Sequence, residues 1–122
     1  MNKRAVGARG EDLAISFLLQ KGYRILDRNS HKRWGEIDII AQDQETIVFV
    51  EVKYRTTDRW GTGVESITPR KLHNLHRAAS LYSHQHKLNG KAQRIDIIAI
   101  DLDSTSGQPY ITHIQNSSEE RG

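Results

Sequence analysis

The sequence predicts an α/β domain: a mixed β-sheet flanked by helices, in the order α-β-β-β-α-β-β. Three observations predict it. Two segments, around Leu13–Leu18 and Leu72–Tyr82, carry apolar residues at helical spacing. Short runs rich in Ile and Val, of which "TIVFVEVKYR" is the strongest, read as strands. The stretch joining the third strand to the fourth contains the second helix and is long enough for a parallel crossover, a connection that is nearly always right-handed.

Each element has a local reason. From Lys3 to Lys21, Leu13, Ala14, Phe17 and Leu18 make one apolar stripe, and Gly22 supplies a residue for a left-handed cap. "YRILDRN" follows as a first strand, and "HKRWG" (His31–Gly35) reads as a turn. "EIDIIAQ" alternates, which places Glu36, Asp38 and Ile40 on one face and Ile37 and Ile39 on the other. "DQE" is a polar hairpin connection. In "TIVFVEVKYR", Val48, Val50, Val52 and Tyr54 face one way and Ile47, Phe49, Glu51, Lys53 and Arg55 the other. "TTDRWGTGVES" is a loop. Thr68 is a good N-cap and Pro69 suits the first helical position, with Leu72, Leu75, Ala79 and Tyr82 as the buried stripe behind them. "LNGK" ends the helix, "QRIDIIAI" is a buried strand, and "PYITHIQN" an edge strand with its proline at the start.

The chain has 122 residues, which fits one domain, read as residues 1–116 with a flexible polar tail at 117–122. No cysteine is present, so disulfide frameworks and thiolate chemistry are excluded. "MNKRAVGARGEDLA" lacks the apolar run of a signal peptide, and no stretch approaches the roughly 20 apolar residues of a membrane helix. The expectation is a soluble cytoplasmic protein with no membrane partner. A net charge of +3 permits a polyanionic partner without requiring one.

Chemistry concentrates in "GEIDIIAQDQETIVFVEVKYR", Gly35 to Arg55. Glu36 and Asp38 share a face of one strand, and Glu51 and Lys53 share a face of the next. If the hairpin brings those faces together, three carboxylates meet one ammonium in a half-buried place. A hard divalent cation such as Mg²⁺ compensates such a cluster, because it takes oxygen ligands and keeps several waters. A metal beside a lysine suits phosphodiester hydrolysis, with the lysine orienting the attacking water or stabilising transition-state charge. Asp38, Glu51 and Lys53 also read as a salt-bridged patch on a solvated sheet face, since cross-strand ion pairs are ordinary.

Asp38 followed by "EVK" at Glu51–Lys53 resembles the PD-(D/E)XK nuclease superfamily, which includes restriction endonucleases and archaeal Holliday-junction resolvases. "GARGEDLAISFLLQKGYRILDRN", "GEIDIIA", "FVEVKYR" and "RIDIIAI" together resemble the YraN-type bacterial family, small nuclease-like proteins without an established function. The likeness spans roughly Gly7 to Ile100. It implies a restriction-endonuclease-like, Holliday-junction-resolvase-like fold. It also implies Asp38, Glu51 and the Val52 backbone carbonyl as ligands of Mg²⁺ or Mn²⁺, Lys53 as the catalytic lysine, and Glu11 completing the catalytic set from the first helix. The superfamily's nominal proline before the aspartate is absent, and Ile37 stands there, so the match rests on Asp38, Glu51 and Lys53.

Other residues hold more than one reading. Glu11 lies on the edge of the first apolar stripe, as a further metal ligand or as a first-turn acid favoured by the helix dipole. Glu36 is read as positioning a water, binding a second metal or pairing with Arg33. Arg55 continues the Glu51 face as a phosphate fork or an exposed strand end. Lys71, near a helix N-terminus, is a candidate site or phosphate contact or part of a solvated basic face, and Arg59 and Trp60 a candidate nucleic-acid-contacting flap or a disordered connector. Arg94 and Asp96 read as a structural ion pair. Six histidines without cysteines or a metalloprotease motif do not make a zinc site.

The function expected is a metal-dependent endonuclease, a hydrolase acting on nucleic acid, DNA before RNA, with branched or damaged DNA as the form suggested by the resolvase likeness. A homodimer follows if branched DNA is cut, because that needs two active sites. The rivals are a nucleic-acid-binding module that keeps the fold without effective catalysis, and a protein-interaction subunit whose carboxylates are structural.

Overall fold

A computed structural model describes residues 3–32, 35–57 and 68–115, with the side chains of 9–28, 37–56 and 68–115. The tail at 117–122 lies outside these. The elements are α1 (Lys3–Gln20), β1 (Arg24–Lys32), β2 (Gly35–Asp43), β3 (Thr46–Thr57), α2 (Pro69–Gln85), β4 (Gln93–Asp103) and β5 (Pro109–Ile114), the order expected. Among the described residues they form a five-stranded sheet in the order β1-β2-β3-β4-β5. The β3–β4 pair is parallel, bridged by α2, and the other three pairs are antiparallel.

α1 ends where glycine permits. Gly22 has φ +91, its N–H donates to the Leu19 carbonyl at 3.0 Å, and the Tyr23 N–H donates to that of Leu18 at 3.0 Å. These two bonds satisfy carbonyls the helix would otherwise leave open. Thr68 caps α2 by accepting the Lys71 N–H on Oγ1 at 3.1 Å, and Pro69 occupies the first turn. β2 and β3 join through Gln44 and Glu45, with Gln44 in the left-handed region.

The sheet is covered on both faces. Ile47 and Phe49 of β3 pack with Leu75, Ala78, Ala79 and Tyr82 of α2, while Val48 and Val50 pack with Ala14 and Leu18 of α1. Burial on both sides is why β3 and β4 read as near-continuous apolar runs. Each such Phe, Leu or Ile contributes on the order of 1.5–3 kcal/mol. α1 approaches β3 closely at Gly10, where an added Cβ would lie 2.7 Å from the Tyr54 Cβ.

Two expectations need correction. His31, Lys32 and Gly35 are not turn residues: the β1–β2 ladder runs to Lys32↔Gly35, leaving Arg33 and Trp34, outside the described residues, between the strands. Nor do Ile37 and Ile39 share a face. Ile37 joins Ile40 against α2, and Ile39 joins Ala41 against α1. The cause is the end of the β2–β3 ladder at Ile39↔Val50. Beyond that pair the β2 backbone is laddered to β1 alone, and Ile37 packs into the α2-side core. No helix among the described residues is long and apolar enough to cross a membrane.

Candidate active site

Past Ile39↔Val50 the β2–β3 ladder stops, leaving a gap in the pairing beside the charged residues. Glu51 is the first β3 residue past the last β2–β3 pair, and it stays held from the other side by parallel pairing with Ile97. The Val52 N–H, turned toward β2, donates to Asp38 Oδ2 at 2.8 Å. A side-chain carboxylate thus takes an amide that a continued ladder would have used, and this fixes Asp38 at the mouth of the gap. A strand residue's N–H and C=O leave the same edge, so the Val52 carbonyl faces the gap too.

Glu51 shares the α2 face with Ile47 and Phe49 and is 6% exposed. Burial, and then the Asp38 charge, push its carboxyl up from 4.5 to about 7, against the pull of Lys71 and Lys53. Lys71 Nζ lies 3.4 Å from Glu51 Oε1. Two lysines therefore face a buried carboxylate and do not fully offset the cost of its charge.

Asp38, Glu51, Lys53 and Lys71 are thus brought together electrostatically, with Lys71 on Glu51 rather than turned away from the sheet. Glu11 sits elsewhere: α1 covers the opposite face, and Glu11 Oε1 is 3.6 Å from Arg28 Nη2 of β1, which also donates to Asp12 at 2.9 Å. Arg55 donates from Nε to Asp101 Oδ1 at 3.0 Å, and Asp101 is fully buried. Sequence reasoning missed Asp101, because only the parallel register Arg55↔Asp101 reveals the pair. The Glu36 side chain, Arg59 and Trp60 lie outside the described residues.

The donor set decides whether a metal fits. Among the described residues no three His, Cys, Asp or Glu side chains converge. Asp38 and Glu51 lie near enough for the Asp38 charge to act on Glu51, and the Val52 N–H holds Asp38 in place. Mg²⁺ is commonly held by one or two carboxylates with waters and substrate oxygens completing the shell, so these residues fit Mg²⁺ or Mn²⁺ without a third acid.

Residues 10–100 match the model of a family described as "Uncharacterised protein family UPF0102". A UPF0102 protein of Syntrophomonas wolfei is 41% identical, over 93% of this chain and 97% of its own. Its counterpart in Carboxydothermus hydrogenoformans is 40% identical, over 95% and 97%. A third, from Mycobacterium sp. (strain JLS), is 43% identical, over 92% and 84%.

Proposed function

The chain belongs to the uncharacterised family UPF0102, the YraN-type family, and from that premise we propose that it is a metal-dependent nuclease whose active site is the gap between β2 and β3. The observation that carries the reading is Glu51: a buried carboxylate set beside a second carboxylate, with a titration point raised to about 7. Carboxyl groups raised by burial and by a second carboxylate concentrate at functional sites, which supports a metal site here.

Asp38, Glu51 and the Val52 carbonyl would hold Mg²⁺ or Mn²⁺, which when bound polarises a phosphoryl oxygen and acidifies a water. The chain's own residues do the rest. The Val52 N–H orients the Asp38 carboxylate. Lys53, two residues beyond Glu51 on the same strand face, places its ammonium to hold the incoming water and to offset charge growing on the phosphate. Arg55, gripped by Asp101 through Nε, keeps its outer nitrogens for a neighbouring phosphate. DNA is taken as the substrate by analogy with resolvases, in branched or damaged form, with a homodimer supplying two sites.

The test is cleavage of single-stranded, duplex, flap and four-way-junction DNA, and of RNA, in Mg²⁺, Mn²⁺ or EDTA. The reading expects cleavage with metal, none in EDTA, and loss by at least about 100-fold in Asp38→Asn and Lys53→Ala. Cleavage that survives both substitutions would sink the site. Binding without cleavage under every condition would favour the binding module, and no binding at all the interaction subunit.

A further inference from the structure

The Glu51–Lys71 contact differs from the other ion pairs that reach a buried carboxylate. Asp96 and Asp101 are each met by an arginine at 3.0 Å, whereas Lys71 stands 3.4 Å from Glu51, beyond the usual range of a charge-assisted hydrogen bond. The lysine is also placed against local electrostatics. The first turn of α2 carries Arg70 and Lys71 and no acid, although a helix N-terminus favours anions. Its backbone is nonetheless fixed, because Thr68 holds the Lys71 N–H at 3.1 Å. The backbone is anchored while the side chain is 37% exposed, so the ammonium can withdraw into water.

From this we infer that Lys71 is the exchangeable counter-ion of Glu51, holding the carboxylate while no divalent cation is bound and giving it up when one binds. The inference rests on the active-site reading above and adds its regulation: metal entry must displace a resident ammonium. A buried carboxylate left alone is costly, so some cation has to stay with Glu51 between turnovers. A lysine suits this duty, being a single flexible point charge. An arginine, with a planar fork that grips both carboxylate oxygens, would not let go as readily.

The experiment is calorimetric titration of the full chain with Mn²⁺ at pH 8.5, with folding of each variant checked by circular dichroism. Lys71→Met should bind Mn²⁺ more tightly than the wild type, by up to about fivefold, the worth of one partly exposed ion pair. Lys71→Arg should bind more weakly, and Asp38→Asn should lose binding. A Lys71→Met protein that binds as the wild type does, or more weakly, overturns the inference. If Lys71→Met does not fold, Lys71→Arg decides alone: unchanged or tighter binding overturns it. A wild type that takes no Mn²⁺ overturns the metal site itself and the inference with it. That result is read from the wild type before any variant, so the two failures stay distinct.

Discussion

Asp96 on one face of the sheet and Glu51 on the other are both buried carboxylates, and their surroundings treat them in opposite ways. On the α1 face, Asp96 is fully buried and accepts from Arg94 Nε at 3.0 Å, from Arg94 Nη2 at 3.3 Å and from His113 Nε2 at 2.8 Å. Arg94 is itself held by Asp43 at 3.1 Å and donates to the Tyr23 hydroxyl. Lys21 donates to His113 Nδ1 at 2.8 Å, which assigns the imidazole proton to Nε2, facing Asp96. On the α2 face, Glu51 has one long lysine contact and a repelling neighbour in Asp38. The acids are of similar burial, so burial does not mark function here. The mark is whether the surroundings finish the job of compensating the charge: the Asp96 network closes on itself, and the Glu51 cluster leaves room for a cation from outside.

The sharpest way to break the comparison is to remove the compensation where it is complete. Arg94→Met removes the guanidinium that meets both oxygens of buried Asp96 and leaves the His113 hydrogen bond to carry its charge, which should cost about 3–5 kcal/mol. Urea denaturation at neutral pH measures it. A loss under about 1 kcal/mol, the range of an exposed pair, would mean the α1-face network is not the structural element described here.

Glu51→Gln should act in the opposite direction. The ordinary glutamate value is 4.5 and Glu51 titrates at about 7, so the folded chain holds this proton more tightly than the unfolded one. That stabilisation is full below about 4.5 and is lost as pH rises through 7. Glutamine keeps the neutral shape and removes the slope. In EDTA at pH 8 the variant should be more stable than the wild type by on the order of 2–3 kcal/mol, and at pH 4 the two should match. Parallel stability curves across that range would show that Glu51 is compensated after all.

The contrast between faces was only half legible in the sequence. Periodicity and turn chemistry are local, so the element order, the caps at Gly22 and Thr68, and the charged stripe of Glu51, Lys53 and Arg55 could all be read. The Arg94–Asp96 pair was readable as well, because residues two apart on a strand share a face. What joins separate segments was not. His113 reaches Asp96 only through the antiparallel β4–β5 pairing, and Asp101 reaches Arg55 only through the parallel register. Lys71 reaches Glu51 because the crossover carries the first turn of α2 back over β3. The misplacement of Ile37 has the same origin: alternation assumes a strand paired on both sides, and β2 loses β3 at Ile39.

The smallest effect tests whether the loose α2-face contact depends on a firm anchor. Thr68→Ala removes the bond from the Lys71 N–H to Oγ1 and should cost about 1 kcal/mol in thermal stability. Thr68→Ser should restore most of it, since serine caps as well as threonine. The comparison adds a second expectation. If Lys71 is exchangeable only in its tail, freeing its backbone should speed amide exchange in the first turn of α2 and leave the Asp96 network on the far face unchanged. Faster exchange in β4 and β5 as well would mean that the two faces unfold together, and the separation between a closed network and an open site would then be one of charge alone, not of mechanics.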